Sequence, residues 1–273
     1  MAWLQAILLG IVQGLTEFLP VSSSGHLVLI QSLFGLKEPE LFFDVSVHVG
    51  TLAAVCVFFF RDLRGMAVAF FSKSTWSAGD IGRLHQWRQV PEMRLLTLIF
   101  IGSLPTALIG LALRPLAATL FSSTRLVGIM LLVTGFLLWL TRTMKKEGRA
   151  ELTVWDALCV GVIQGLAILP GISRSGSTIA IGLFKGLDRE TAARFSFLLS
   201  IPAIVGAMAL ELIQARISGT PTPIGPSVVG ACVAGAVGYV ALKTLIGLVK
   251  KGTLYTFAFY CWPLGGIVIF WSL

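Results

Sequence analysis

Charged residues are scarce in this chain. Asp, Glu, Lys and Arg make up 12% of its 273 residues, whereas hydrophobic residues make up 56%. Ordinary soluble domains carry roughly 25% charged residues, so this composition, with a mean hydropathy of +0.88, excludes a soluble domain and predicts a polytopic membrane protein. Most basic residues behind the net charge of +8 lie in short loops between apolar stretches. The charge therefore indicates membrane topology, and nucleic acid is not an expected partner.

The motifs of several other protein classes are also missing. The four cysteines lie in apolar runs without a C-x-x-C pair, which favours small buried side chains over a redox or metal site. There is no Walker-type phosphate loop and no H-E-x-x-H motif, so neither ATP hydrolysis nor a tightly caged zinc is expected. Residues 1–10 lack a basic region and a small-residue cleavage site, and no removable signal peptide is expected.

What the sequence does contain is one segment that occurs twice. Residues 10–26 read GIVQGLTEFLPVSSSGH, and residues 161–177 read GVIQGLAILPGISRSGS. Both copies run G-x-x-Q-G-L, then L-P, then S-x-S-G, within strongly apolar sequence. The first copy adds Glu17 and His26, and the second adds Arg174. Ionisable side chains at membrane depth are costly, so these three residues are functional candidates.

The apolar stretches define the expected fold. A helix needs about 20 apolar residues to cross the hydrocarbon core. Two apolar regions, 2–34 and 154–183, contain the two copies, and each is interrupted near its middle by Pro, Gly and Ser. Because irregular backbone at membrane depth is tolerated only when it is buried in protein or lines a wet cavity, we expect two re-entrant helix hairpins. The expected spans are 41–60, 94–113, 124–141, 192–214, 224–247 and 253–272.

The distribution of basic residues predicts the orientation of these elements. Most of the 21 Lys and Arg residues fall in four segments, 61–94, 141–153, 185–194 and 243–251, which we assign to the inside. This assignment is consistent only if neither hairpin crosses the membrane, and both termini then lie outside. Each half, 1–150 and 151–273, is a hairpin plus three spans, and three is odd. The sequence therefore predicts an all-α fold with an inverted-topology repeat, in one integral membrane domain.

In the first copy, acidic and hydroxyl side chains surround a turn. Gln13 and Glu17 are four residues apart and share one face of a helix. A serine-rich turn with glycine at a helix N-terminus is a natural anion site, because free N–H groups and the helix dipole point at the ligand. The residues of this turn are Ser22, Ser23, Ser24, Gly25 and His26.

The second copy supplies a cation and more donors. Arg174 offers a planar fork that suits phosphate oxygens, and it aligns with Ser23 of the first copy. The turn around it contains Ser173, Ser175, Gly176, Ser177 and Thr178. The two copies have thus diverged at equivalent positions within one shared pattern.

Each candidate also has a purely structural interpretation. Glu17 and Arg174 alone can form a structural salt bridge, and His26 can be an interior histidine with satisfied hydrogen bonds. Ser22 and Ser173 can simply cap helix ends. We expect His48 and His85 to be non-catalytic and Glu211 to be a solvated helix terminus.

The paired motifs QGLTEFLPVSSSGH at 13–26 and LPGISRSGST at 169–178 resemble those of the undecaprenyl-diphosphate phosphatases, the bacitracin-resistance family. The chain length and the spacing of the motifs agree, so the resemblance covers essentially the whole chain. It implies an enzyme of the bacterial inner membrane that removes the terminal phosphate of a C55 isoprenyl diphosphate. This reaction regenerates the lipid carrier for peptidoglycan and other envelope glycans.

The resemblance also implies roles for individual residues. Glu17 corresponds to the essential glutamate, a metal ligand or acid/base, His26 to the essential histidine and Arg174 to the phosphate-binding arginine. Ser23 corresponds to the hydroxyl most often proposed as nucleophile. The expected pocket-lining residues are Ser22, Ser24, Ser173, Ser175 and Thr178. Many family members have a glutamate where this chain has Gln13, so here Glu17 is alone in carrying that negative charge.

A divalent cation is the expected cofactor. Mg²⁺ commonly uses one carboxylate together with substrate oxygens, so Mg²⁺, with Ca²⁺ as the alternative, is expected to bridge Glu17 and the diphosphate. The resulting hypothesis is that Ser23 or a water attacks the terminal phosphorus, with His26 transferring a proton. The substrate is expected to enter from the outer, periplasmic side. The expected partners are the lipid substrate and the bilayer, and a homodimer is left open.

A second function class fits the same residues. Inverted repeats with broken helices are typical of secondary transporters, so a lipid flippase or anion transporter that binds a phosphate headgroup is the alternative. A purely structural scaffold is a weaker candidate, because buried ionisable groups do not serve that purpose. A reactive serine beside an imidazole distinguishes the phosphatase, because a flippase has no use for it.

Overall fold

The computed structural model describes residues 2–34, 41–72, 90–144, 147–218 and 224–272. Within these ranges the chain is helical and contains no β-strand, only an isolated bridge between Arg149 and Leu187. The helices are α1 (Trp3–Phe18), α2 (Ser23–Leu33), α3 (Leu41–Phe58), α4 (Phe60–Phe71), α5 (Pro91–Leu113), α6 (Ala117–Ser122), α7 (Thr124–Leu140), α8 (Val154–Leu166), α9 (Arg174–Phe184), α10 (Arg189–Ser218), α11 (Ile224–Lys251) and α12 (Ala258–Trp271).

Five helical segments are long and apolar enough to cross a membrane by length and composition. They are Pro91–Leu116, Thr124–Thr143, Arg189–Leu210, Ile224–Lys251 and Leu254–Trp271. The sixth predicted span, 41–60, falls on α3, which bends by 76° into α4 at Phe59. The prediction of a polytopic all-α membrane protein is therefore confirmed at this level.

Two of these helices are not predicted by the sequence. Residues 61–94 are expected to form an inside segment between two spans, but Phe60–Phe71 forms α4, and α6 follows a 3₁₀ turn at Arg114–Leu116. The charged residues Arg61, Asp62 and Arg64 leave only residues 65–71 of α4 as an apolar run, which is too short to mark a span in the sequence. Asp62 at its start pairs with Arg194 of α10, which ties α4 to the long helix.

Both repeated segments form two helices with a break between them. In the first, α1 ends at Phe18 and α2 begins at Ser23; Pro20 in the break lacks the N–H that a continuing helix needs. Ser22 has a φ of 70° and caps α2, because its hydroxyl accepts a hydrogen bond of 3.3 Å from the Gly25 N–H.

The second break repeats this construction. The helix α8 begins at a capping box in which Thr153 and Asp156 bond reciprocally. Between α8 and α9, Gly171 adopts a φ of 100°, which L side chains rarely adopt. Ser173 then caps α9 by accepting a hydrogen bond of 3.1 Å from the Gly176 N–H. The shared S-x-S-G pattern thus produces the same helix start in both halves.

Glycine contacts cross the two halves of the chain in a reciprocal way. A Cβ atom on Gly10 of α1 would lie 2.6 Å from the carbonyl oxygen of Gly230 in α11. Likewise, a Cβ on Gly161 of α8 would lie 2.0 Å from the carbonyl oxygen of Gly102 in α5. Gly10 and Gly161 are the first residues of the two copies, so each hairpin packs closely against a long helix of the opposite half.

Candidate active site

The two breaks lie against each other. The Gly171 N–H donates a hydrogen bond of 3.1 Å to the Ser22 hydroxyl, and the Ser175 hydroxyl donates one of 2.9 Å to the Phe18 carbonyl. Phe18 is buried against Phe197 of α10, with ring centroids 5.8 Å apart. These contacts fix the end of α1 beside the start of α9, so the polar residues of both copies converge.

Glu17 is the centre of this convergence. Its side chain is buried, and Arg174 from the other half forms an ion pair with Oε1. Three further groups approach Oε2: the Gln13 amide donates a hydrogen bond of 2.9 Å, the Ser23 hydroxyl donates one of 2.6 Å, and His48 Nε2 lies 3.4 Å away. A buried carboxylate is stable only with such compensation, and here Arg174, Gln13 and Ser23 all donate to it.

Arg174 is only partly engaged by protein groups. It is the first residue of α9, and one of its terminal nitrogens, Nη2, binds Glu17. The other, Nη1, is buried and has no hydrogen-bond partner in the part of the chain that the structure describes. A buried guanidinium N–H without an acceptor is costly, and a phosphate oxygen is a suitable acceptor for it.

His26 contacts Ser22 and Tyr260, although its position in the sequence suggests Ser23 or Glu17 as a partner. Its Nδ1 lies 2.8 Å from the Ser22 carbonyl oxygen, and its Nε2 lies 2.7 Å from the hydroxyl of Tyr260 in α12. The carbonyl accepts only, so Nδ1 carries the hydrogen and Nε2 accepts from Tyr260 when the ring is neutral. The rings of His26 and Tyr260 stack with a centroid distance of 5.8 Å. The hydrogen bonds of Ser23 and Glu17 given above do not involve His26.

A framework of hydroxyls surrounds these groups and includes Ser22, Ser24, Ser173, Ser175 and Thr178. Besides capping their helices, Ser22 and Ser173 lie 3.4 Å from the Ser24 hydroxyl and 3.3 Å from the Ser175 hydroxyl, respectively. Thr178 donates a hydrogen bond of 2.7 Å to the Arg174 carbonyl. The structural interpretation of Ser22 and Ser173 as caps is thus confirmed, and it does not conflict with a second role.

Four polar residues of the site region were missed or set aside at the sequence level. Thr134 of α7 binds the second break, accepting from the Ser173 N–H and donating to the Gly171 carbonyl. Ser196 lies 2.5 Å from the Thr178 hydroxyl. Tyr260 and His48 are the other two. Only His48 carried a sequence signal, because it is an ionisable residue inside a predicted span. His85 and the side chain of Glu211 lie outside the described part of the structure.

The oxygen atoms of the site also suit a hard cation as ligands. Within the described ranges, no group of three His, Cys, Asp or Glu side chains gathers as a metal cluster. The Glu17 carboxylate nevertheless lies next to Gln13, whose amide oxygen Oε1 is buried and has no hydrogen-bond partner within those ranges. Carboxylate and amide oxygens are hard ligands, and Mg²⁺ takes the rest of its shell from water and phosphate. The residues present therefore fit a divalent cation held jointly with a substrate.

Broken helices that bring a carboxylate, a guanidinium and serines together inside an apolar helical protein define a multi-pass membrane protein with a buried polar site. A family model described as bacitracin resistance protein BacA matches residues 6–267. The chain belongs to this family.

Relatives match over nearly their whole length. A protein named undecaprenyl-diphosphatase from Desulfatibacillum aliphaticivorans is 51% identical over 272 residues, covering 98% of both chains. One of the same name from Desulfosudis oleivorans is 53% identical over 268 residues, covering 97% of both. A third, from Methanosphaera stadtmanae, is 42% identical over 278 residues, covering 99% of this chain and 98% of the relative.

Proposed function

We propose that this protein is an undecaprenyl-diphosphate phosphatase, which hydrolyses undecaprenyl diphosphate to undecaprenyl phosphate and inorganic phosphate. The main observation behind this proposal is that Arg174 Nη1 is buried and has no hydrogen-bond acceptor among the described residues. Arg174 also pairs with the Glu17 carboxylate, which accepts a hydrogen bond from the Ser23 hydroxyl. This set provides an anion clamp, a nucleophile and a proton acceptor together. The names of the relatives agree with this chemistry.

The proposed fold is an inverted-topology repeat in which both hairpins are re-entrant. Three observations support it: the duplicated motif, the capped breaks, and the reciprocal glycine contacts of Gly10 and Gly161. An inverted repeat brings two such breaks together near the middle of the bilayer. The polar residues then form one site although they come from halves of opposite orientation.

The substrate diphosphate binds between the two breaks. Arg174 exchanges its contact with Glu17 for phosphate oxygens, and its unpaired Nη1 gains an acceptor. The first N–H groups of α2 and α9 favour an anion through the helix dipole. The Ser24 hydroxyl adds a donor, whereas the Ser175 and Thr178 hydroxyls donate to backbone carbonyls and hold the helix ends in place. The polyprenyl chain stays among the lipid tails. Phosphoryl transfer needs charge stabilisation above all, and this arrangement supplies it.

Ser23 is the proposed nucleophile, and its own hydrogen bond identifies the proton acceptor. The Ser23 hydroxyl donates to Glu17 Oε2 over 2.6 Å, so Glu17 takes the proton as the Ser23 oxygen bonds to the terminal phosphorus. The anhydride bond breaks, and the leaving undecaprenyl phosphate takes this proton from Glu17. A water then attacks the phosphoserine, Glu17 takes a proton from it, and Glu17 returns that proton to the Ser23 oxygen as inorganic phosphate leaves. His26, held between Ser22 and Tyr260, is the second proton-transfer group.

A divalent cation, Mg²⁺ or alternatively Ca²⁺, completes the proposed site. Glu17 and the free amide oxygen of Gln13 would hold it. When bound, it supplies positive charge that neutralises the diphosphate oxygens. Glu17 is the only carboxylate among these proposed ligands, so most of the cation's remaining ligands come from substrate and water.

The distribution of basic residues sets the proposed location. The protein lies in the bacterial inner membrane with both termini outside, and its site opens to the periplasmic side. There it recycles the lipid carrier for peptidoglycan synthesis. Higher activity returns more carrier to use as monophosphate and thereby confers resistance to bacitracin, in agreement with the family description. A homodimer stays a prediction.

The test is phosphate release by the purified, detergent-solubilised protein from undecaprenyl diphosphate, with Mg²⁺ and with EDTA. We expect cation-dependent release that is abolished in Arg174→Ala. The matched control is Arg142→Ala, because Arg142 stacks on Trp139, 4.0 Å from the ring centroid, outside the site. No release from folded wild-type protein that binds the lipid would contradict the proposal and favour a flippase.

A further inference from the structure

A hydroxyl of α7 holds the second break from the side. The Thr134 hydroxyl donates a hydrogen bond of 2.9 Å to the Gly171 carbonyl and accepts one of 3.0 Å from the Ser173 N–H. Thr134 is 1% exposed, so this one side chain satisfies two buried backbone groups that lie between α8 and α9. Buried backbone groups are costly when they have no partner. The turn at 171–173 therefore depends on α7.

The Thr134 bond differs in direction from the bonds of several other hydroxyls inside helices. Such hydroxyls often donate to a carbonyl one turn earlier in the same helix, as Thr16 of α1, Thr97 of α5 and Thr244 of α11 do. The Thr134 hydrogen instead points to Gly171, across 37 positions of sequence. A hydroxyl has one hydrogen, and here it stabilises the break and not the helix that carries it.

The backbone of the turn is packed against the same face of α7. A Cβ atom on Gly171 would lie 2.4 Å from the Val127 carbonyl oxygen and 2.7 Å from the Met130 Cβ. Val127, Met130 and Thr134 follow one another at intervals of three and four residues, so they share one face of the helix. The close packing and the two hydrogen bonds therefore hold the turn against one surface.

The first break has a corresponding contact. Pro20 occupies in the first copy the position that Gly171 occupies in the second. Its carbonyl oxygen lies 3.7 Å from the sulfur of Cys261 in α12. Each break is thus contacted by the last predicted span of the opposite half, α12 for the first break and α7 for the second. A thiol is a weak donor, so the stronger contact is at the break that carries Arg174.

We propose that Thr134 is a positioning residue that fixes the turn at 171–173 and thereby directs Arg174 toward the substrate phosphate. This inference rests on the proposed function. Arg174 follows Ser173 directly and begins α9, so a shift of the turn moves the guanidinium and the first N–H groups of α9 together. When the phosphate replaces Glu17 as the partner of Arg174, Thr134 still supports the turn.

The experiment compares Thr134→Val with Thr134→Ser in the phosphate-release assay on undecaprenyl diphosphate, with kcat and KM determined separately. Valine has the shape of threonine but neither donates nor accepts, whereas serine keeps the hydroxyl. Because a small displacement of a binding group can cost about 100-fold in rate, we expect Thr134→Val to lower kcat/KM about 10- to 100-fold and to raise KM at least about threefold. Thr134→Ser should stay within about threefold of wild type in kcat and KM.

The matched control is Thr106→Val. The buried Thr106 hydroxyl also crosses from the first half to the second hairpin, where it donates a hydrogen bond of 2.8 Å to the Gly161 carbonyl. Gly161 lies within α8 and not in the break, so this variant loses a comparable bond but leaves the turn at 171–173 intact. We expect a lower melting temperature and a KM within about twofold of wild type, because a loss of stability alone does not change KM.

The outcomes separate the proposal from its alternatives. A wild-type KM in folded Thr134→Val would overturn it, and so would a KM raised equally in Thr134→Ser or Thr106→Val. If Thr134→Val does not fold, Thr134→Cys takes its place, because a thiol weakens both bonds without removing them; a raised KM then supports the proposal, and an unchanged KM overturns it. A wild-type protein that binds the lipid but releases no phosphate would refute the proposed function, and the dissociation constant of the lipid then replaces KM in the same comparison.

Discussion

The two breaks have the same construction and opposite chemistry. In each, a serine caps the second helix by accepting from the N–H of a glycine three residues later, and a glycine at the start of the copy contacts the other half. The first break carries Glu17 and His26, where the second has Ile168 and Ser177 at the same offset; the second carries Arg174, where the first has Ser23. The residues shared by both copies form the turns. The residues that differ place a carboxylate in the first copy and a guanidinium in the second.

This division makes the site depend on both halves. Glu17 would be a buried charge without Arg174, and Arg174 would be one without Glu17. Removing one member of a buried ion pair is strongly destabilising or inactivating, because the other charge is left uncompensated. The residues common to both copies thus form the turns, and the charged residues of the site stand where the copies differ.

The largest effect is expected when the two copies are made alike at the position of Arg174. Arg174→Ser gives the second break the serine that the first has at the equivalent position, and it leaves the site without its cation. Because a cationic clamp contributes several orders of magnitude to phosphoryl transfer, we expect kcat/KM to fall about 10³-fold or more. Phosphate release from undecaprenyl diphosphate measures it, with Arg142→Ser as control. A loss of less than about tenfold would contradict the clamp.

The equivalent glutamines offer a sharper contrast. Gln13 donates to Glu17, whereas Gln164 donates to the Leu199 carbonyl at 3.1 Å. In Gln13→Glu the new carboxylate joins Glu17 beside Arg174, so we expect a folded enzyme that needs about tenfold less Mg²⁺ for half-maximal activity. Activity measured against Mg²⁺ concentration tests this. An unchanged or increased Mg²⁺ requirement would argue against a cation at Gln13.

Gln164→Glu should behave in the opposite way. Its buried carboxylate would face the Leu199 carbonyl oxygen, which cannot donate, and the Thr106 hydroxyl, which already donates to the Gly161 carbonyl. A buried, uncompensated charge costs several kcal/mol, about 3 kcal/mol or more here, so we expect poor expression and a melting temperature lowered by several degrees. The detergent melting curve is the measurement. Equal stability of the two glutamate variants would show that the halves do not differ in this respect.

Much of this arrangement could be predicted from the sequence, and the reasons are local. The apolar runs, the proline and glycine interruptions and the repeated S-x-S-G pattern depend on neighbouring residues, so the helices and capped turns fell where they were expected. The pairing of Glu17 with Arg174 was anticipated as one possibility, because opposite charges in apolar surroundings need each other. The helix α4 was not predicted, because its charged residues leave only a short apolar run.

The contacts that could not be predicted are those between distant segments. Tyr260 reaches His26 across 234 positions of sequence, and nothing in the residues around Tyr260 indicates this. Like Glu17, His48 is an ionisable residue in an apolar stretch. The group that it contacts lies in another segment, so the residues around His48 do not indicate it. The hydrogen bond of the Ser23 hydroxyl to Glu17 rather than to His26 likewise depends on how the first hairpin folds back.

Tyr260 gives a smaller test of the first break. Its hydroxyl lies 2.7 Å from His26 Nε2 and comes from the second half, so it is the one described hydrogen bond of that nitrogen. Tyr260→Phe keeps the stacked ring and removes this bond, and we expect kcat to fall about 5- to 10-fold, the equivalent of one ordinary hydrogen bond. Tyr239→Phe is the control, since Tyr239 contacts the Phe58 ring instead. A wild-type kcat in Tyr260→Phe would remove Tyr260 from the site.

The smallest difference should lie between the two capping serines. The Ser173 hydroxyl accepts from one backbone N–H, that of Gly176, whereas the Ser22 hydroxyl accepts from two, those of Gly25 and Gly171. Loss of an N-cap costs about 1 kcal/mol, and Ser22→Ala strands a second buried donor, which adds about 1 kcal/mol. We therefore expect Ser22→Ala to lower the melting temperature about twice as far as Ser173→Ala. If the two variants melt together, the Gly171 contact contributes nothing, and the Arg174–Glu17 pair and the Ser175–Phe18 bond hold the breaks together without it.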